Sequence, residues 1–295
     1  MAAHITPFKL FTFVLFLVLL NTISATMLTD ESGLTSPAHF VLVHGASHGG
    51  WCWFKIRALL EKSGFKVSCP DLRSAGIDPA DANTLSTFQE YTQPLHDLLA
   101  SLPDGEKVIL VGHSFGGFSI TDAIDNFPEK IGAAVYVAAA MLRNPWPFGK
   151  NIKNEQETHD ALSIFNSNME CFFEKEGSRL PTSCMFRKEV QRELLYNLSP
   201  LEDSTLAGML LKPSPFRSFI NAPFPRNLKN VPRVYVKTLQ DNLLRPRRQD
   251  LMVLFWRPSQ VYTIDSDHSP MLSTPSELFD ILVSVAANFT STSDI

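Results

Sequence analysis

The chain has 295 residues, 44% of them hydrophobic and 19% charged, with a formal net charge of −4. That length holds one large α/β domain with a decorated loop, or two modest domains, and the apolar share is enough for a sizeable core. The mildly acidic balance, with no cluster of lysine and arginine interleaved with aromatics, gives no electrostatic footprint for nucleic acid.

Met1 to Lys9 is weakly basic, Leu10 to Leu20 is apolar except for Thr12, and a polar stretch ending in Ser24 and Ala25 follows. This is the order of a secretory signal peptide, so removal near Ala25 is expected, leaving residues 26–38 as a flexible lead into the mature domain. An apolar helix of about 11 residues reaches roughly 16 Å, about half the ~30 Å hydrocarbon core, which disfavours a permanent membrane span. An organelle transit peptide is the alternative, but those are rich in arginine and residues 1–25 contain none. An uncleaved anchor stays open. The expected location is the secretory pathway, whether secreted, vacuolar or in the endoplasmic reticulum, ahead of cytosol or plastid.

His39 to Val43 reads as a short apolar strand, His44 to Gly50 as a loop rich in glycine and histidine, and Trp51 to Ser63 as a helix. Phe65 to Pro70 is a second strand, Thr87 to Leu102 a helix, Val108 to Val111 a strand, Phe115 to Phe127 a helix and Ala133 to Ala139 a buried strand. Strands that are nearly continuous apolar runs, alternating with helices, predict a mostly parallel sheet covered on both faces. From about 141 to 230 the pattern changes to proline, polar residues and phenylalanine, with short helical pieces at Lys188 to Asn197 and Ser204 to Leu211. So weakly periodic a stretch makes a poor independent core, and an inserted cap over the active end of the sheet fits better. Val231 to Thr238 restores strand character, Gln249 to Trp256 reads as a helix, Gln260 to Ile264 as a strand and Pro275 to Ala287 as a closing helix, so one domain runs over 39–290. The basic stretch Arg245 to Arg248, interrupted by proline, reads as a solvated loop.

None of the four cysteines has metal-ligand spacing, and no metal is expected. Cys171 and Cys184 bracket a polar stretch that a disulfide can staple in an oxidising compartment, while Cys52 and Cys69 read as buried thiols. Asn197 and Asn288 stand in glycosylation triplets.

The most informative run is KVILVGHSFGG, Lys107 to Gly117. Its G-x-S-x-G core follows a strand and opens a helix, the context in which a sharp turn lifts a serine hydroxyl clear of the sheet. Gly112 and Gly116 let strand and helix approach closely enough for Ser114 to stand there. A serine hydroxyl is a poor nucleophile at neutral pH and needs a base, itself oriented by a third group. Where such an elbow is used, the acid follows a later strand and the histidine the strand after that. Asp241, just beyond VPRVYVKTL, and His268, just beyond QVYTI, fall at those places. Asp265 and Asp267 compete, but so near His268 their side chains should diverge from the far ring nitrogen. Asp250 belongs to a helix. His113 is expected to support the elbow turn, His44 to hold its loop by hydrogen bonds, and His48 either to do the same or to line the pocket. His39, His96 and His159 have no companion groups in the sequence. An oxyanion formed on attack needs backbone N–H donors, one from Phe115 and the other, most plausibly, from Ala46 in the first loop.

Together these residues resemble the plant methylesterase and hydroxynitrile lyase family of α/β-hydrolases, over nearly everything from His39 to about Ala287. HGASHGGWCW, SPLEDSTLA and KTLQDNLLRPRRQD are particularly similar to the pheophorbidase-like methylesterases, and SDHSPML also reads as a family segment. The resemblance implies the α/β-hydrolase fold, Ser114, Asp241 and His268 as a triad, Ala46 and Phe115 as oxyanion donors, and no cofactor. Similar lyases carry threonine after the first loop histidine and lysine after the catalytic one. Here those positions are Gly45 and Ser269, which favours an esterase: no lysine charge is present to stabilise departing cyanide, and glycine leaves room for a tetrahedral acyl centre. The implied substrate is a hydrophobic methyl ester, such as a pheophorbide-type ester, methyl indoleacetate, methyl jasmonate or an alkaloid ester. Phe115, Trp146 and Phe148 are read as pocket candidates, with core packing an equal alternative. A β-carbonyl acid product can then lose carbon dioxide. A hydroxynitrile lyase and a non-catalytic ligand-binding protein are the alternatives. The signal segment is not part of the usual family pattern, and relatives commonly form homodimers.

Overall fold

The computed structural model describes residues 27–29, 35–142, 168–176, 178, 180–220, 222 and 231–290. Strands β3 (His39–Val43), β4 (Lys66–Ser68), β5 (Val108–His113), β6 (Ile131–Val137), β9 (Arg233–Thr238) and β10 (Gln260–Ile264) form one sheet in the order β10-β9-β6-β5-β3-β4. Every pairing is parallel. Parallel pairing requires crossover connections, and helices α1 (Phe54–Lys62), α2 (Phe88–Ala100), α3 (Gly116–Asn126), α7 (Pro246–Phe255) and, after the short α8 (Pro270–Ser273), α9 (Pro275–Thr290) supply them or close the domain.

Side chains alternate across a strand, so each strand feeds two cores. Phe40, Leu42, Ile109, Val111, Val135, Val137, Val234 and Val236 pack on one face with Ile56, Leu60 and Leu282. Val41, Val43, Leu110, Ala134, Tyr136 and Tyr235 pack on the other with Leu95, Ile120 and Met252. This double burial is why the strands read as unbroken apolar runs. Helix α2 starts at Thr87, whose side chain accepts from the Glu90 N–H while Glu90 reaches back to the Thr87 N–H, a capping box.

Between β6 and β9 the described part of the inserted segment holds a hairpin, β7 (Met169–Phe172) with β8 (Ser183–Phe186), then α4 (Lys188–Leu195), α5 (Leu201–Leu210) and α6 (Phe216–Ile220). Cys171 and Cys184 lie directly opposite in the hairpin register and are joined by a disulfide. Cys52 is a buried free thiol; Cys69 is only partly buried. Burial pushes both thiols up, Cys69 to about 12, so neither is a ready nucleophile.

Some expectations change. The segment expected to be flexible contains strands β1 (Met27–Thr29) and β2 (Thr35–Pro37), paired antiparallel. The basic stretch Arg245 to Arg248 is not a loop: Pro246 occupies the first position of α7, where its missing N–H costs nothing. The hairpin of the insertion adds two strands to a stretch whose pattern predicts only short helical pieces. Among the described residues no helix is long and apolar enough to cross a membrane; Leu10 to Leu20 lies outside them.

The disulfide closes a short loop, its two cysteines 13 positions apart in sequence. The double variant Cys171→Ser/Cys184→Ser is expected to lose about 2–3 kcal/mol of stability, the entropy of a loop of roughly this size. Thermal melts without reductant should show the variant below the parent, and reductant should bring the parent down to it.

Candidate active site

Ser114 stands on the turn between β5 and α3 with φ of 51°, in the left-handed region that costs a non-glycine residue about 1–2 kcal/mol. The fold holds it there: the Ser114 N–H donates to Val137 O at 3.2 Å, and Ser114 O accepts from the N–H groups of Ala140 and Gly117 at 2.9 and 3.1 Å. The flanking glycines answer to close approach. A Cβ on Gly112 would sit 2.9 Å from Gly116 O, and one on Gly116 would sit 2.6 Å from His44 O.

The structure brings together the three side chains singled out by chain order. The Ser114 hydroxyl lies 2.8 Å from His268 Nε2, and His268 Nδ1 lies 2.8 Å from Asp241 Oδ2. Asp241 follows β9, and His268 follows β10, the neighbouring strand, which is why residues 27 positions apart in sequence meet. Because Asp241 can only accept when ionised, His268 carries its proton on Nδ1 and presents Nε2 as an acceptor to the serine O–H. Asp241 is buried, and donors surround it: the Leu243 and Leu244 N–H groups on Oδ1 at 2.9 and 2.7 Å, and Thr238 Oγ1 on Oδ2 at 3.1 Å. Gln249, fully buried on α7, donates to Thr238 Oγ1, Thr238 O and Leu244 O and accepts from the Thr238 N–H, so it ties the strand end to the loop that carries Asp241.

The loop after β3 lies beside the elbow, since Val43 pairs with Gly112. A Cβ on Gly45 would come 2.9 Å from Ser114 Cβ, so this position abuts the nucleophile. The Ala46 and Phe115 N–H groups have no acceptor among the described residues. His44 holds its loop as expected, donating from Nδ1 to Gly45 O at 2.8 Å and accepting the Leu72 N–H at Nε2. His113 supports the turn's neighbour, donating from Nε2 to His268 O at 2.7 Å. His48 takes the structural option: it is buried, with Nδ1 donating to Ala46 O at 2.8 Å and Nε2 accepting from Tyr196 Oη at 2.7 Å.

The competing acids are used elsewhere. Asp265 is exposed and accepts from Gln240, and Asp250 pairs with Lys237. Asp267 is fully buried and accepts five hydrogen bonds, none from His268. His39 and His96 do have companions, Glu106 with Ser68 and Asp122 respectively, contributed by distant elements. Sequence reasoning also missed Gln249, Tyr196 and Ser214, polar residues whose partners lie far along the chain. Trp146, Phe148 and His159 fall outside the described residues.

A buried carboxylate, an imidazole and a strained serine at the carboxyl ends of a parallel sheet are arranged as in serine hydrolases. The comparisons agree. Residues 40–281 match the Alpha/beta hydrolase family. The chain is 43% identical to "Methylesterase 17" of Arabidopsis thaliana, over 85% of this chain and 92% of that protein, and 43% identical to "Pheophorbidase" of Raphanus sativus, over 84% and 94%. The crystal structure of a methylesterase protein MES16 from Arabidopsis superposes with a TM-score of 0.74 at 41% identity, covering 85% of this chain and 99% of that one. The chain therefore belongs to the α/β-hydrolase family, among the plant methylesterases, and it is a serine hydrolase acting on ester bonds.

Burial pushes three of the neighbouring histidines down: His44, His113 and His48, the last to about 4. Between pH 4 and 6.5 the unfolded chain carries a proton on His48 that the folded protein does not, so stability rises with pH across that window. Calorimetric melts should show Tm falling as pH drops from 6.5 toward 4, with a shallower fall in His48→Gln; equal slopes in the two proteins would remove the assignment.

Proposed function

We propose that the protein hydrolyses a methyl ester of a hydrophobic small-molecule carboxylic acid. The observation that carries this reading is the continuous relay at 2.8 Å on each side of His268, on a chain whose relatives are named methylesterases. The Ser114 oxygen attacks the ester carbonyl as its proton passes to His268 Nε2. Asp241 holds the ring in the productive tautomer and stabilises the imidazolium that results. The negative charge arriving on the carbonyl oxygen is met by the N–H groups of Ala46 and Phe115, which are left without protein acceptors. The tetrahedral centre collapses, methanol leaves with the proton from His268, and water repeats the sequence to release the acid and restore Ser114. A product acid with a carbonyl β to its carboxylate then loses carbon dioxide without a further protein group.

An apolar wall beside the nucleophile supports the hydrophobic acyl group. Phe115 stacks on Phe219 of α6 with centroids 4.2 Å apart, and Phe118 and Tyr91 extend the cluster at 4.8 and 5.0 Å. Gly45, pressed against Ser114, and Ser269, which brings no charge beside His268, favour ester hydrolysis over cyanide elimination. The disulfide in the insertion supports entry into the oxidising secretory pathway, which an intact Met1 on the mature protein would contradict.

Methanol release across a panel of hydrophobic methyl esters tests the activity. The parent protein should turn over at least one of them, and Ser114→Ala should lower kcat by about 10⁴–10⁶. Equal rates in the two proteins would remove Ser114 from the chemistry. Release of cyanide from mandelonitrile without methanol from any ester would reverse the choice between hydrolase and lyase.

A further inference from the structure

The two loops that present reacting groups are anchored from one turn of the inserted segment, residues 196–199. Tyr196, fully buried at the end of α4, donates from Oη to His48 Nε2 at 2.7 Å, and His48 Nδ1 donates to Ala46 O at 2.8 Å. The same peptide unit is held at its other end, where the Ser47 N–H donates to Ser214 Oγ at 2.6 Å. The preceding peptide is held too: Gly45 O accepts from His44 Nδ1 at 2.8 Å and from the His48 N–H at 3.3 Å. In a trans peptide the N–H points opposite its carbonyl, so anchoring Gly45 O aims the Ala46 N–H.

Two and three residues after Tyr196, the chain reaches the other loop. The Leu198 N–H, Ser199 N–H and Ser199 Oγ all donate to Asp267 Oδ2, at 2.9, 2.8 and 2.8 Å. Asp267 Oδ1 accepts from the Ser269 N–H at 2.9 Å and Ser273 Oγ at 2.8 Å. The carboxylate thus precedes His268 and binds the N–H that follows it, bracketing the histidine's backbone. A carboxylate with five donors and no hydrogen bond to the imidazole is placed to fix geometry and not to carry the proton.

We infer that the turn 196–199 is a brace that sets the oxyanion loop through Tyr196 and His48 and the histidine loop through Asp267, making Tyr196 and Asp267 positioning residues for ester hydrolysis. The inference rests on the mechanism proposed above. A donor held in line before the reaction begins stabilises the transition state without reorganisation, so loosening it costs turnover and leaves substrate binding almost untouched.

Tyr196→Phe keeps the ring and deletes only the hydroxyl. In the full chain, with active sites counted by a fluorophosphonate, kcat per labelled site should fall about 10-fold, a fraction of the ~10²–10³ lost with an entire oxyanion donor. KM should stay within about two-fold. Affinity for a trifluoromethyl ketone, which forms an oxyanion on adding to Ser114, should weaken by the same factor as kcat/KM, as expected for a transition-state effect. Asp267→Asn should behave alike from the other arm, and it carries the test should Tyr196→Phe not fold. Lower Tm with unchanged kcat per site and unchanged ketone affinity would reduce the turn to packing and overturn the brace. A parent protein that neither hydrolyses any ester nor takes the probe would instead remove the mechanism itself, and the brace with it.

Discussion

A carboxylate withdrawn from water must be met by donors or it will not stay ionised, and the active end of this fold is arranged around that demand. Asp241 is buried, and backbone N–H groups, a threonine hydroxyl and His268 all converge on it. Hydrogen bonds to a charged group contribute about 1.5–3 kcal/mol each, so this cluster sets the conformation of the β9–α7 connection as firmly as packing does. Once the carboxylate is fixed, the imidazole has one tautomer and one orientation, and the serine has one partner. The strained turn at Ser114 is affordable because sheet and helix hold it from both sides.

The sheet supplies the other half of this arrangement. Chain order visits β3, then β4 on one flank, then β5 on the other, so the loops after β3 and β5 diverge at the carboxyl ends of adjacent strands. Such a reversal opens the crevice in which α/β proteins bind their ligands. Here the loop after β3 brings Gly45 against Ser114, while the ends of β9 and β10 bring Asp241 and His268 from the far side. Ser114, Asp241 and His268 come from separate strand ends, and the sheet fixes the distances between them.

What could be read from the sequence follows from how local each signal is. Strands buried on both faces announce themselves as apolar runs, and the elbow announces itself through glycines at fixed offsets from Ser114. Asp241 and His268 were legible because their places depend on strand order, which the chain displays. Asp267 was judged only by its inability to reach the far ring nitrogen. That judgement agrees with the geometry, but its actual partners, Leu198 and Ser199, lie 69 and 68 residues away and leave no trace in the local pattern. The same holds for His39 with Glu106 and His96 with Asp122. The hairpin of the insertion leaves little local signal because Met169–Phe172 and Ser183–Phe186 are only four residues each, and the cysteines that face each other across it lie on different strands. Arg245 to Arg248 reads as a loop when its proline is taken for an interruption, whereas the same proline is well suited to begin a helix.

The disulfide has a reach beyond its own hairpin. Cys184 exchanges backbone hydrogen bonds with Ser214, and the hydroxyl of that serine receives the N–H of Ser47, one residue from Ala46. The inserted segment is therefore also scaffolding for the loop after β3. If the protein hydrolyses esters as proposed, substitutions there that change which acyl group fits also shift the loop beside Ser114, so that specificity and rate change together.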